Sequence, residues 1–253
     1  MPEPKDPFEG PKLKIERAKH HIADFRAMFK ALDNTDFVRV YIDDKLGDDG
    51  KARLMSHHMT LPRELRLPLA DALYNLRSAL DQAVSRCAVL ANKSPKQTYF
   101  PHGRDKAGFE ASMRAKCKEV PVTVRRAIAE LEPYYGGDGF LLQAVHDLNL
   151  IDKHTELLKF NITFEEGYVA PGASPYLPIG GRWYSAKNKL DIAEHYIRNS
   201  DKKIQLACTI SFREIAVIEG QPATKVIYQI CDLVARTVSI IEARMNEHLQ
   251  SNG

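Results

Sequence analysis

The chain has 253 residues, 44% of them hydrophobic and 27% charged, with a formal net charge of +3 and a pI near 8.6. That length can bury a sizeable core, the balance is too apolar for a disordered chain, and so mild a charge neither demands nor excludes a nucleic-acid partner. Cys87, Cys117, Cys208 and Cys231 form no CxxC pair, which argues against a zinc ribbon or redox dithiol and predicts reduced thiols. The start, Met1 to Pro7, lacks an apolar h-region, and no run approaches the roughly 18 apolar residues of a membrane span. A cytoplasmic protein with no membrane partner is the expectation.

Taken in order, Ile15, Ala18, Ile22, Phe25, Phe29 and Leu32 recur at steps of three and four and predict a first amphipathic helix over about 11–33. Val38, Val40 and Ile42 alternate, and the acidic turn Asp43 to Gly50 returns the chain, which predicts an inserted β-hairpin over about 37–59. Pro62 then opens a central helix over about 62–91, whose apolar stripe is Leu69, Leu73, Leu76, Leu80, Ala83 and Cys87. Residues 92–101 read as a loop, and shorter helices are predicted over 105–118 and 122–132, with Pro121 and Pro133 framing the second. After Gly136-Gly137-Asp138-Gly139, the spacing of Leu141, Val145, Leu148, Ile151, Thr155 and Leu158 predicts a third long helix over about 139–159. The period then falls to two in Phe160, Ile162 and Phe164 and in Ile204 to Phe212, which predicts a small antiparallel sheet within about 160–217. Pro222 starts a last helix, to about 248. The expected class is therefore α+β, a single domain over 1–253 built as a four-long-helix bundle with an inserted β-hairpin and a small antiparallel sheet.

Two polar constellations lie on the second and third long helices. Arg77 and Asp81 are four apart and can pair on one face, beside Asn75 and Ser78, while Asp152, Lys153 and His154 close the third helix. Arg77 is expected to face Asp152 if the helices are neighbours, and the plain reading is that these residues lock helix register. The functional reading takes Arg77 as phosphate stabiliser and His154 as acid/base, with Asn75, Asp81, Asp152 and Lys153 as supporting polar groups. Such a set suits phosphodiester cleavage and invokes no cofactor and no metal.

Other motifs read more plainly. His20-His21 and His57-His58 are adjacent pairs that point apart and make poor joint metal ligands. The Asp43–Gly50 turn lacks the ligand order of a calcium loop, and Gly136 to Gly139 lacks the Lys-Ser/Thr of a P-loop. The basic run Arg114, Lys116, Lys118, Arg125 and Arg126 has no interleaved aromatic residues to stack bases, so a solvated face is expected.

The segments Asn75 to Gln82, Phe100-Pro101, Leu131 to Tyr134 and Ile151 to His154 together resemble a family of uncharacterised bacterial and phage proteins with the pattern HNLRSALDH…FP…LQPY…NIDKHR, over roughly residues 60–158. More distantly, the Arg-Ser-Ala-Leu-Asp portion is similar to the Arg…His motif of HEPN domains, helical bundles that often act as metal-independent ribonucleases in phage defence. This chain departs from both at Gln82 and Tyr74, where the pattern has His, and at Thr155, where it has Arg. Gln cannot titrate, so catalysis of that type falls to His154. The resemblance implies an RNA-directed factor, active or degenerate; the alternative is a non-catalytic module that binds a protein partner or a second copy of itself.

Overall fold

In a computed structural model of the chain, placement is described for residues 6–32, 62–154, 158, 213 and 215–252 and for the backbone of seven strand segments. Among the described residues there are six α-helices, α1 (Glu9–Leu32), α2 (Arg66–Leu90), α3 (Lys106–Lys116), α4 (Val122–Glu130), α5 (Phe140–His154) and α6 (Ala223–Asn252). The strand segments are β1 (Val40–Asp43), β2 (Arg53–Ser56), β3 (Phe160–Ala170), β4 (Leu177–Ile179), β5 (Gly181–Tyr184), β6 (Lys189–Ile192) and β7 (Lys203–Phe212).

Helix α2 is the centre, packed against α1, α5 and α6. Every residue of its expected stripe, Leu69, Leu73, Leu76, Leu80, Ala83 and Cys87, is buried without exposed surface. Ala72 and Ala79 are buried as well, and their small side chains leave room for neighbouring helices on the flanks. Each fully buried leucine contributes about 1.5–3 kcal/mol, whereas a buried ion pair is near break-even, so apolar burial holds α2 in place. Pro62 precedes a 3-10 turn, Arg63–Leu65, which leads into α2, and Pro68 falls in the first turn of the helix, where a missing N–H is tolerated.

Helix α1 buries Ile15, Ala18, Ile22 and Phe25 against α2, as its spacing predicts. It starts upstream of the expected residue, and the Asp6 carboxylate accepts the Phe8 backbone N–H at 2.8 Å in the turn that leads into it. Lys12 Nζ bonds Asp6 and Glu242, each at 2.8 Å, and ties α1 to α6. Helix α6 supplies Val226, Ile227, Ile230, Val234, Val238, Ile241 and Met245 to the same core. Three of the four cysteines, Cys87, Cys117 and Cys231, are buried free thiols, pushed up to about 12, about 12 and about 11 by burial.

The expected α+β class is corrected: the described residues are mostly helical, in the four long helices and the two shorter ones that the spacing predicts. The expected hairpin over 37–59 and sheet over 160–217 fall on stretches where side chains are described only at Phe160, Ile210–Phe212 and a few flanking positions. Of the strand residues, these alone join the described packing. Ile210 and Phe212 are buried, and the rings of Phe160 and Phe212 lie 5.4 Å apart across an antiparallel pairing of β3 with β7. The alternating period in this region was a true signal of extended chain, but it carried no information on whether that chain forms a layer over the helices. The two shorter helices lie where the sequence predicts them, and Phe109 of α3 and Val124 and Ile128 of α4 are buried. No helix among the described residues is long and apolar enough to cross a membrane.

Candidate functional site

Arg77 lies beside the leucine stripe of α2 and is 6% exposed. A guanidinium so placed must be paired, and its partners come from α2 and from the α2–α3 connection. Nη2 donates to Asp81 Oδ1 and to the Phe100 carbonyl, both at 2.7 Å, while the Phe100 N–H donates to the same Asp81 oxygen at 3.0 Å. Arg77 and Asp81 thus grip both polar groups of one backbone residue, and the guanidinium carbon lies 5.9 Å from the Phe100 ring centre. Burial lowers the Arg77 pKa and raises that of Asp81 against their mutual attraction. The lock therefore fixes a loop to a helix; the expected helix-to-helix register lock, with Arg77 facing Asp152, is corrected by these partners.

Holding Phe100 sets its neighbours Tyr99 and His102 at the rim of a cleft of about 400 Å³. The other walls come from α2, with Tyr74, Arg77, Ser78 and Asp81, from α5, with His146, Asn149 and Lys153, and from the end of α3, with Lys116. His102 and His146 stack with ring centres 3.8 Å apart and planes within 15°.

A buried network holds that stack. The Gly103 N–H donates to Gln143 Oε1 at 2.8 Å, Gln143 Nε2 donates to Asp147 Oδ1 at 2.9 Å, and the Tyr135 hydroxyl donates to Asp147 Oδ2 at 2.8 Å. The His102 N–H donates to Ser112 Oγ at 3.1 Å. Gln143, His146 and Asp147 are three and four apart on α5 and so share the side that meets the loop.

Position 103 has no room for a side chain, since an added Cβ would meet the Phe109 nitrogen at 2.0 Å and the Gly108 carbonyl carbon at 2.4 Å. Gly103→Ala is expected to lower stability by about 1–3 kcal/mol through overpacking against backbone. A chemical-denaturation midpoint equal to wild type would remove the requirement for this close approach.

The electrostatics follow from the lining residues. Three cationic side chains, Arg77, Lys116 and Lys153, face one carboxylate, Asp81, which leaves an excess of two positive charges when the histidines are neutral. Burial, followed by the field of Arg77, pushes the His146 imidazole down to about 3, and the same two causes lower His102. Both rings are neutral near pH 7. A buried guanidinium nitrogen, Arg77 Nη1, has no hydrogen-bond partner among the described residues, an unmet donor in a residue that lines the cleft. Among the described residues no three His, Cys, Asp or Glu side chains gather so as to hold a metal ion.

Of the six residues expected from sequence, Arg77, Asp81 and Lys153 line the cleft. Asn75 does not: its Oδ1 accepts from Lys14 Nζ at 3.3 Å and its Nδ2 donates to the Asp71 carbonyl at 2.8 Å. Asp152 does not line it either; one of its oxygens is buried without a partner among the described residues, and burial followed by the charge of Asp71 raises its pKa. His154 ends α5, and its side chain is outside the described residues. The residues that sequence reasoning missed are His102, His146, Asn149, Tyr99 and Lys116. A signal for two of them was present, because His146, Asn149 and Lys153 recur at three and four along one side of α5.

Comparisons with protein-family models, with curated proteins and with solved structures find no match to this chain.

Proposed function

We propose that the cleft binds and cleaves RNA as a metal-independent ribonuclease site. The observation that carries this reading is the stacked pair of neutral imidazoles beside three cationic side chains. A neutral imidazole accepts a proton and a cation offsets phosphate charge, which are the two needs of phosphodiester transfer to a neighbouring hydroxyl. With phosphate bound, one histidine of the pair is neutral and the other is protonated. The neutral one removes the proton of a ribose 2′-OH, the 2′-oxygen attacks phosphorus, and the bond from phosphorus to the 5′-oxygen breaks as that oxygen takes the proton of the imidazolium, which leaves the two rings with their protonation states exchanged. The products are a 2′,3′-cyclic phosphate and a 5′-hydroxyl, with no net uptake or release of protons. Arg77, Lys116 and Lys153 offset the charge on the phosphate oxygens, and a bound anion in turn raises the pKa of both imidazoles toward neutrality.

The distant likeness to HEPN domains points the same way, with one change of residues. The position of the absent motif histidine, Gln82, is exposed and bonds Ser78 Oγ at 3.3 Å. It is not among the residues lining the cleft. His102 and His146 take the acid and base roles that the sequence assigned to His154.

The test is cleavage of an end-labelled mixed-sequence RNA in EDTA. Fragments ending in 2′,3′-cyclic phosphate, and protection of the strand by 2′-deoxy substitution at the cleaved positions, are the expected result. Cleavage that stops in EDTA, or that leaves 5′-phosphate ends, would overturn the mechanism.

A further inference from the structure

Two features of the cleft are not used by that chemistry. Lys153 Nζ lies 4.7 Å from the ring centre of Tyr74, and Lys116 Nζ lies 5.7 Å from that of Tyr99. The two pairs come from four separate elements, α5 with α2 and α3 with the α2–α3 connection. Each therefore needs tertiary structure to form. The rings are 45% and 47% exposed and contribute little to the core.

We infer that Tyr74 and Tyr99 are stacking platforms for the bases of a single-stranded RNA whose intervening phosphate lies at the histidine pair, and that Lys153 and Lys116 leave the rings for phosphate on binding. This rests on the reading of the cleft as an RNA site and names the form of the substrate. The magnitudes favour the exchange. A cation over an exposed ring is held more weakly than a base stacked on an aromatic side chain. The base displaces the ammonium, and the ammonium gains a phosphate oxygen in return. Tyr74 has a further cation near it, Lys14 Nζ at 5.5 Å, which Asn75 Oδ1 also holds. A duplex cannot make this exchange, because its bases are already paired and stacked. Two platforms flanking one reactive centre fit an unpaired dinucleotide step.

The experiment measures binding of a fluorescent single strand with 2′-O-methyl groups, which prevent cleavage, beside the duplex of the same sequence and beside inorganic polyphosphate. The single strand is expected to bind more tightly than either. Tyr74→Leu and Tyr99→Leu are each expected to weaken it about 5-fold to 150-fold at an unchanged melting temperature. Tyr→Phe at the same positions keeps the ring and is expected to keep the binding. Lys153→Gln is expected to weaken all three ligands and to reduce the slope of log affinity against log salt by about one. Equal binding of duplex and single strand, or leucine variants that bind like wild type while Lys153→Gln still weakens RNA, would overturn the stacking platforms and leave the RNA reading standing. No binding of any RNA would overturn both.

Discussion

Arg77→Ala is expected to destabilise the protein by about 3–5 kcal/mol, read as a fall in the urea midpoint at unchanged slope. The argument rests on what is left behind. The substitution removes two hydrogen bonds of 2.7 Å, deprives the Phe100 carbonyl of its partner and leaves the Asp81 carboxylate in a largely apolar setting without its cation. The lost bonds alone are worth about 1.5–3 kcal/mol each when charge-assisted, and the unpaired carboxylate adds its desolvation cost. Replacing both members with apolar residues, as in Arg77→Met with Asp81→Leu, removes the orphaned charge, and the double variant is expected to recover much of the loss. If the single variant unfolds at the wild-type midpoint, the lock does not carry the loop. If the double variant is as unstable as the single, the cost lies in the lost grip on Phe100 and not in the buried charge. A lock that carries the loop also sets the cleft, because Tyr99 and His102 lie on either side of the residue it holds.

How much of this was legible depends on which forces act locally. The helical stripes were fully readable, since burial of Leu69, Leu73, Leu76 and Leu80 follows from a spacing that any helix obeys, and the same holds for Ile15, Ala18, Ile22 and Phe25 of α1. Arg77 with Asp81 was readable as a pair because four residues of helix fix their separation. Their shared partner was not, because Phe100 lies nineteen residues beyond Asp81 and reaches it only through the path of the connecting loop. His102 was hidden for the same reason. Lys116 looked like one cation of a solvated run without aromatic neighbours; its aromatic neighbour, Tyr99, is supplied by a different element. The class failed where period-two alternation was taken to mean a sheet layered on the bundle. Asp152 misled because proximity to an apolar stripe places a residue near the core without saying which cavity it meets.

His146→Ala is expected to lower the rate of RNA cleavage about 10²–10⁴-fold, the usual effect of deleting a general acid or base, while affinity for RNA changes little. Its titration supplies a second readout. In the folded protein without ligand the imidazole is pushed down to about 3, from an ordinary value of 6.5, by burial and then by Arg77, His102 and Lys153. The unfolded chain therefore binds a proton that the folded chain refuses between those two values, so stability is full above about pH 6.5 and declines as pH falls toward 3. His102, shifted in the same direction, adds to that decline. Asp81 opposes it, because burial raises its carboxyl and its contribution is lost as pH rises. Denaturation midpoints measured across this range are expected to depend less on pH in His146→Ala than in wild type. The kinetic consequence separates a catalytic imidazole from a structural one. Bound phosphate offsets the cations that depress His146, so its pKa is higher in the complex than in the free enzyme. The acid limb of kcat is therefore expected at higher pH than the acid limb of kcat/KM, since the first reports the complex and the second the free protein. Coincident limbs would show that the ligand does not meet the field of Arg77 and Lys153, and would place the reacting phosphate outside the cleft.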